Sequence, residues 1–338
     1  MASFSIVVPT FNSGEYIKDC ILSVQNQAMP DFELLIVDGG STETGFLEWI
    51  KSLNDTRIKF FYSDTRLTIE ENWARIKEIP KREFFTILGH DDILFPDYLD
   101  TMKELIDRFP DASLYQTHFT FINVKGGLIQ NSKPMKERLD FETFLELMLT
   151  NKINFTATGF LMRSDDYERV GGIPLYPYLL FSDNALWLSL TRISYLAVAG
   201  KTCFSFRIHE NTSTVLLGTK HIEGLQYFVG HLAELKKTSQ HVRDIILKNG
   251  GAHIISNCHA ITHRLIHTNV KDRKGITVKG VIARCDMLGK ALTEDDRFTV
   301  LSDNRIRMAN NIDGFWLLRT LFYRFRQIYS KPILKGRD

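Results

Sequence analysis

The sequence lacks the segments that place a protein in or across a membrane. No stretch of about 18 apolar residues occurs, so we predict no membrane-spanning helix. A basic start followed by a short apolar segment is also missing, which predicts that there is no signal peptide and that the protein is cytoplasmic. The four cysteines lie far apart and form no CxxC pair, which favours buried free thiols over disulfides or a zinc site.

An excess of charge of one sign is missing as well. The formal net charge is only +2 over 338 residues, so overall charge gives no support for a nucleic-acid partner, and we predict none. The hydrophobic fraction of 44% and the charged fraction of 24% are ordinary for a globular protein. A chain of this length can form one large domain or two.

Two glycine-rich phosphate-binding motifs are absent. The turn after the first predicted strand reads Pro-Thr-Phe-Asn-Ser-Gly at residues 9–14, without the glycines of a dinucleotide-binding GxGxxG turn. The P-loop pattern GxxxxGK[ST] does not occur either. A bound nucleotide would therefore need a metal ion to neutralise its diphosphate, and an NAD-dependent enzyme is the less favoured alternative.

The first part of the chain alternates between short apolar runs and segments with helical periodicity. The predicted strands are 4–8, 33–37, 57–62 and 84–88, and the predicted helices between and after them are 17–28, 46–53, 70–79 and 98–109. This alternation predicts an α/β fold whose mostly parallel sheet is covered by helices on both faces. From Ser113 onward alternating Thr, Phe and Tyr residues indicate antiparallel strands, so the sheet is mixed. Beyond about Leu216 the sequence becomes helical.

Four carboxylates directly follow predicted strands: Asp38, Asp64, Asp91 and Asp92. The carboxyl ends of parallel strands meet at one edge of the sheet, which is the usual ligand position in such folds. Adjacent carboxylates raise each other's pKa unless a positive charge separates them, and hard oxygen ligands suit Mg²⁺ or Mn²⁺. The pair Asp91-Asp92 equally suits the start of a helix without a metal, and Asp64 equally suits the cap of a turn.

Several motifs resemble those of the family-2 glycosyltransferases of GT-A fold. They are SIVVPTFN at 5–12, LIVDGGST at 35–42, Asn72-Trp73, and Gly-His-Asp-Asp at 89–92. The resemblance covers roughly residues 4 to 215. It implies a GT-A domain over 1–215 that binds a nucleotide-sugar donor, followed by a helical region over 216–338. The implied activity is inverting, metal-dependent sugar transfer from a nucleotide sugar, which we expect to be UDP-linked.

The resemblance also implies roles for individual residues. Pro9, Thr10, Asn12 and Asp38 fall on the nucleotide side, Asp91 would contact the ribose, and Asp92 would bind Mn²⁺ or Mg²⁺. Asp64 joins the nucleotide side as a candidate because of its place at a strand end. Ser182-Asp183 resembles the acidic pair that opens a helix in this family, with Ser in place of the usual Glu, and this implies that Asp183 is the catalytic base. The segment FRIHENTS at 206–213 resembles the family's Tyr-Arg-x-His segment, and implies that His209 completes the metal shell or contacts the phosphates.

Two departures from the family pattern bear on the substrate. Gly39 stands where the family often has a second Asp. That Asp can help to bind the nucleotide base, and this sequence lacks the contact. The Gln-x-x-Arg-Trp segment of processive synthases is missing, which favours the addition of one sugar per encounter. The expected acceptor is a saccharide or a polyprenyl-linked saccharide in bacterial surface polysaccharide or glycoconjugate synthesis. A nucleotide-sugar-binding protein without catalysis is the alternative.

The C-terminal region contains two further patterns. Leu317, Leu321, Phe325 and Ile328 share one face of a predicted helix at 314–329, and Arg319, Arg324 and Arg326 lie on another arc. Such a basic amphipathic helix suits a membrane surface, and it equally suits packing on its own domain or on a second subunit of a homodimer. Four histidines (His253, His259, His263 and His267) occupy one helical segment, and a polar stripe or subunit contact is favoured there over a zinc site.

Overall fold

The computed structural model describes residues 2–43, 45–209, 218–273 and 275–329. The chain forms two compact units, one of residues 1–144 with 153–209 and one of residues 145–152 with 210–338. The expected domain boundary at 215/216 lies outside the described residues and stays a prediction.

The first unit is built around one mixed sheet. Its strand order is β3-β2-β1-β4-β9-β6-β10-β5, with β7 paired to β6 and β8 paired to β10. The strands are β1 Phe4–Thr10, β2 Phe32–Asp38, β3 Ile58–Phe61, β4 Phe84–Ile87, β5 Ile93–Leu94, β6 Leu114–Ile122, β7 Leu128–Asn131, β8 Arg138–Asp140, β9 Phe160–Arg163 and β10 Tyr195–Arg207. Strands β1 to β4 pair in parallel, so their carboxyl ends lie along one edge.

Helices cover both faces of this sheet. They are α1 Tyr16–Gln25, α2 Phe46–Ser52, α3 Ile69–Ala74, α4 Tyr98–Arg108, α6 Ser164–Arg169 and α7 Ser182–Thr191. The remaining helix of this part of the chain, α5 Phe141–Leu149, is divided between the two units. Because side chains alternate along a strand, Phe84 points into the core formed with α1 and α4. Its neighbour Phe85 meets Tyr167 of α6 edge-on, with ring centroids 5.0 Å apart. The predicted α/β class with a mixed sheet is confirmed.

The second unit contains a helical region, as predicted. Its helices are α8 Gly218–Leu235, α9 Gln240–His267, α10 Val278–Thr293, α11 Asn304–Gly314 and α12 Trp316–Tyr329. Buried apolar residues of α8, α9 and α10 include Phe228, Ile254 and Cys285. In the described part of the chain, no helix is both long enough and apolar enough to span a bilayer.

The histidine pattern of α9 is a row of neighbouring rings. The ring centroids of His259 and His263 are 5.8 Å apart, and those of His263 and His267 are 4.5 Å apart. His253 is buried and lies beside Phe228 of α8. Among the described residues no group of three His, Cys, Asp or Glu side chains is arranged to hold a metal ion. The row therefore gives no support for the zinc alternative.

Candidate active site

The ends of β1 and β2 are joined by hydrogen bonds around Asp38. Thr10 lies opposite Asp38 in the parallel register, and the Gly39 amide donates to the Thr10 carbonyl at 2.9 Å. The Asp38 carboxylate is buried and accepts from the amides of Gly40 and Ser41, at 3.0 and 2.7 Å, and from the Ser41 hydroxyl at 2.6 Å. Asp38 therefore fixes the turn that follows β2.

Asn12 connects the loop after β1 to the same turn. Its amide donates to the Ser41 hydroxyl oxygen at 2.8 Å, and its side-chain oxygen accepts from the Thr42 amide at 2.9 Å. The backbone of Asn12 is left-handed, with φ of 45°, a conformation that Asn tolerates better than most residues. Pro9 is buried within β1 opposite Val37, so it positions this loop from inside the sheet.

Two residues that the sequence did not single out for a role hold three strand ends together. The side-chain nitrogen of Asn72 donates to the carbonyls of Val37 and Thr10, at 3.0 and 3.3 Å. The Arg75 guanidinium donates to the carbonyl of Asp38 at 2.7 Å and to that of Phe61 at 3.0 Å. These contacts bind the ends of β1, β2 and β3, whereas Asp64, beyond β3, is exposed.

The same packing explains the Gly39-Gly40 pair. A Cβ atom on Gly39 would lie 3.2 Å from Cγ of Asn72, so a side chain there requires Asn72 to move. Gly40 has a φ of +85°, and a Cβ atom would lie 2.3 Å from the Thr65 carbonyl oxygen. Any side chain at position 39 would therefore press on Asn72, whereas Gly39 leaves Asn72 in place.

Asp91 and Asp92 follow β4 and contact the end of β10. The backbone amide of Arg207 donates to Asp92 Oδ1 at 2.8 Å, and His209 Nε2 lies 2.7 Å from Asp91 Oδ2. Asp92 is only 1% exposed. The structure thus brings together three residues that the sequence placed in the site, although His209 bonds to Asp91 rather than to Asp92.

Arg207 is the functional candidate that sequence reasoning missed. Its side chain is buried, with Nε donating to the Asp91 carbonyl at 2.8 Å and a terminal nitrogen donating to the Val124 carbonyl at 3.2 Å. Its guanidinium also lies 3.4 Å from a carboxylate oxygen of Asp19 and 4.8 Å from the centroid of the Tyr16 ring. The signal in the sequence was its place two residues before His209.

The two adjacent carboxyl groups differ in their electrostatics. Burial and the charge of Asp91 raise the pKa of Asp92 well above its usual range, and the contacts with Arg207 offset this only in part. Burial also opposes ionisation of Asp91, but the hydrogen bond from His209 and the nearby charge of His90 bring its pKa below the usual value. A buried carboxylate such as Asp92 is stabilised by a cation bound beside it.

The side chains of Asp91, Asp92 and His209 suit a divalent cation that also takes ligands from a substrate. Mg²⁺ and Mn²⁺ prefer oxygen ligands, and Mg²⁺ is usually held by one or two carboxylates together with substrate phosphates and water. The described residues do not assemble a group of three such side chains. Asp92, next to Asp91, offers the kind of carboxylate ligand that such an ion takes from a protein.

Asp183 lies in the first turn of α7, and its pKa is raised by burial to about 6. The indole nitrogen of Trp187, in the same helix, donates to the Thr156 carbonyl at 3.1 Å. Two residues on, the Thr158 hydroxyl accepts from the Gly89 amide at 2.7 Å, at the end of β4. The loop 156–159 therefore fixes both the helix that carries Asp183 and the segment that leads to Asp91-Asp92.

The segment before Asp183 has an unusual backbone. Tyr178, Leu179 and Phe181 have φ values of 58°, 55° and 65°, in the left-handed region that bulky residues rarely adopt. The Tyr178 amide donates to a carboxylate oxygen of Glu70, in α3, at 2.6 Å. Strained backbone of this kind is concentrated at functional sites, so segment 178–181 is a candidate part of the active site.

Residues 5–171 match the sequence model of glycosyl transferase family 2. This part of the chain belongs to that family. The match includes β1 to β4, the Asp91-Asp92 pair and the loop 156–159. It ends before Asp183, Arg207 and His209. The predicted family-2 glycosyltransferase is confirmed, whereas the roles of individual residues stay predictions.

Two curated relatives show how far the similarity extends. An uncharacterized glycosyltransferase of Rickettsia typhi is 24% identical over 264 residues, which cover 74% of this chain and 76% of that protein. An uncharacterized glycosyltransferase of Rickettsia conorii is 25% identical over 131 residues, which cover 38% of this chain and only 22% of that protein.

Solved structures share the fold at low sequence identity. S. aureus TarS 1–349 in complex with UDP-GlcNAc has a TM-score of 0.66 and 16% identity, covering 99% of this chain and 95% of that chain. The mannosyltransferase PcManGT from Pyrobaculum calidifontis, in complex with GDP-Man and Mn²⁺, has a TM-score of 0.53 and 14% identity, covering 97% of this chain and 87% of that chain. The likeness concerns the fold and supports the predicted GT-A class.

Arg207→Gln in the family-2 domain is expected to destabilise the protein by about 3 kcal/mol. The substitution removes the side-chain donor to the carbonyls of Asp91 and Val124, and it takes a buried positive charge away from the buried carboxyl group of Asp92. Arg305→Gln is the control, because Arg305 pairs with Asp303 at the surface, where an ion pair contributes about 1 kcal/mol or less. Urea unfolding followed by fluorescence measures both, and equal losses would contradict the role given to Arg207.

Proposed function

We propose that the chain is an inverting, metal-dependent glycosyltransferase that moves one sugar from a UDP-sugar to a saccharide or polyprenyl-linked saccharide. The observation that carries this proposal is the Asp91-Asp92 pair after β4, where Asp92 is buried against Arg207 and Asp91 is bonded to His209. The pair lies at the edge where parallel strands end, which is the ligand position in open α/β sheets. We assign donor binding and catalysis to residues 1–215.

On the nucleotide side, we assign the base to the loops after β1 and β2. Thr10 is the last residue of β1, Asn12 lies on the loop after it, Pro9 positions this loop, and Asp38 fixes the loop after β2. Asp91 would contact the ribose. We also assign Asp64, which is exposed and follows β3, to the nucleotide side.

Asp92 and His209 are the residues that would hold Mn²⁺ or Mg²⁺. The raised pKa of Asp92 supports this assignment, because a cation would stabilise the ionised carboxyl group in its buried position. When bound, such an ion neutralises negative charge on the leaving diphosphate. Arg207 would keep the pair in place through its bonds to Asp91 and Asp92.

Asp183 would act as the general base. Its pKa of about 6 keeps it ionised at neutral pH and still basic enough to take a proton from an acceptor hydroxyl. As the acceptor oxygen bonds to the anomeric carbon, the bond from that carbon to the diphosphate breaks on the opposite side, and the proton passes to Asp183. The configuration at the anomeric carbon is therefore inverted.

The number of sugars added and the process that the enzyme serves are proposed from the sequence. The missing Gln-x-x-Arg-Trp segment supports a single addition, and we propose a role in bacterial surface polysaccharide or glycoconjugate synthesis. A nucleotide-sugar-binding protein without catalysis is the second candidate. It would keep the donor site and show no transfer.

A thermal-shift screen tests the donor class. UDP with Mn²⁺ is expected to raise the unfolding temperature, because a ligand at a hundredfold excess over its Kd stabilises the native state by about 2.7 kcal/mol. GDP with Mn²⁺, UDP with a chelator, and NAD are the comparisons, and each is expected to give a smaller shift. A larger shift with NAD would contradict the proposal, and a larger shift with GDP would replace UDP as the donor nucleotide.

A further inference from the structure

Helix α12 carries a continuous apolar face whose side chains are exposed. Leu317, Leu321 and Phe325 are 53%, 40% and 56% exposed, and Leu318 beside them is also exposed. At a rotation of 100° per residue these four side chains fall within about a third of the helix circumference. Phe315 and Trp316, at its start, are more exposed still. Exposed apolar patches of this kind mark interaction surfaces.

The opposite side of α12 is anchored within the second unit. The Tyr323 hydroxyl bonds to the Thr268 carbonyl, and the ring of Phe322 lies edge-on to that of His267, with centroids 5.1 Å apart. Arg319 contacts the carboxylate of Asp313 at 3.7 Å. The helix is therefore held by one side while its apolar face remains at the surface.

The sequence that carries the apolar face is strongly cationic. From Gly314 to the end of the chain the cationic residues are Arg319, Arg324, Arg326, Lys331, Lys335 and Arg337, and the only acidic residue is Asp338. Arg324 is exposed and lies seven residues after Leu317, on the border of the apolar face. Long cationic side chains at such a border can reach anionic groups while the apolar face is buried. Exposed aromatic residues such as Trp316 suit the boundary between lipid and water.

We propose that this face of α12 binds the surface of a membrane that contains anionic lipids, with the helix lying in the plane of the interface. A second copy of the chain is a poorer occupant, because pairing two such faces would bring two cationic segments together with almost no acidic residues to offset them. Nucleic acid would use the cations but would leave the leucines and Phe325 exposed to water. The proposal does not depend on the donor or on the chemistry of the first unit.

Co-sedimentation of the intact protein with vesicles tests this proposal. We expect binding to vesicles of phosphatidylglycerol and phosphatidylethanolamine, weaker binding at high salt, and little binding to phosphatidylcholine alone. The double substitution Leu321→Glu/Phe325→Glu should lower the bound-to-free ratio by about tenfold or more. Leu128→Glu/Met287→Glu is the matched control, since it adds the same two charges at exposed apolar residues elsewhere and should bind like the native protein.

Two further measurements separate the outcomes. Arg324→Gln leaves the apolar face intact. It should weaken binding to the anionic vesicles and leave the low binding to phosphatidylcholine unchanged, whereas a misfolded helix would lower binding to both. Light scattering of the free protein measures its molecular mass, which shows whether the chain forms a dimer. The proposal is overturned if the double substitution and its control sediment equally, if phosphatidylcholine binds as well as the anionic mixture, or if the native protein is a dimer that Leu321→Glu/Phe325→Glu dissociates without any binding to vesicles.

Discussion

Asp183→Asn is expected to lower turnover by about 10²–10⁴-fold and to leave nucleotide binding unchanged. The range is that of general base catalysis by a positioned side chain. The amide has nearly the same shape and still lies in the first turn of α7, but it cannot take the proton of the acceptor hydroxyl. Release of UDP in the presence of acceptor measures turnover, and the thermal shift with UDP and Mn²⁺ measures binding. Turnover equal to that of the native protein would contradict the assignment of the base.

The control for this substitution is Asp165→Asn. Asp165 lies in the first turn of α6 and is exposed, so the change removes the same charge from a similar place in a helix. It should leave turnover unchanged. If Asp165→Asn and Asp183→Asn both bind UDP and neither the variants nor the native protein transfers sugar, the binding protein without catalysis is the better description.

The pH dependence follows from the raised pKa of Asp183. A base works in its ionised form, and burial raises the pKa of this carboxyl group to about 6. Below that pH, kcat/KM should fall about tenfold per pH unit, and above it the rate should level off. An unperturbed aspartate would place the same fall near pH 4. Retention of full rate down to pH 5 would contradict the link between burial and the base.

Apolar runs and helical periodicity were sufficient to predict most elements of the fold. β1, β2 and β4 are buried strands because continuous apolar residues can face helices on both sides of a parallel sheet. The two-residue strand β5 and the exposed strand β7 gave no such signal, since neither contains a buried apolar run. The register that places them in the sheet is set by tertiary contacts.

The positions of the site residues were predictable from strand ends, but their partners were not. Asp91 and Asp92 had to follow β4, yet only the fold brings His209 to Asp91 and Arg207 to Asp92 across more than a hundred residues of sequence. Asn72 illustrates the same limit. It lies in a short helix, and its bonds to Val37 and Thr10 depend on where that helix packs.

Asp92→Asn is expected to remove the dependence of turnover on Mn²⁺ and to lower turnover by about 10²–10³-fold. The amide oxygen can still accept the hydrogen bond from the Arg207 backbone, so the local fold should persist. What is lost is the charge that would hold the cation beside the diphosphate. Turnover at several Mn²⁺ concentrations, together with the thermal shift with UDP in the presence and absence of Mn²⁺, measures both effects.

Comparison with two other substitutions makes this result specific to Asp92. Asp91→Asn should weaken nucleotide binding and retain the response to Mn²⁺, and Asp107→Asn, which removes an exposed surface charge paired with Lys103, should change neither.

Without Mn²⁺, Asp92→Asn should be at least as stable as the native protein at neutral pH. The raised pKa means that ionisation of Asp92 costs folding free energy as the pH rises, and the amide avoids this cost. An Asp92→Asn variant that is stable, inactive and unresponsive to Mn²⁺ would show that Asp92 serves to bind the cation and lowers the stability of the native protein. Turnover that still rises with Mn²⁺ would place the metal site elsewhere.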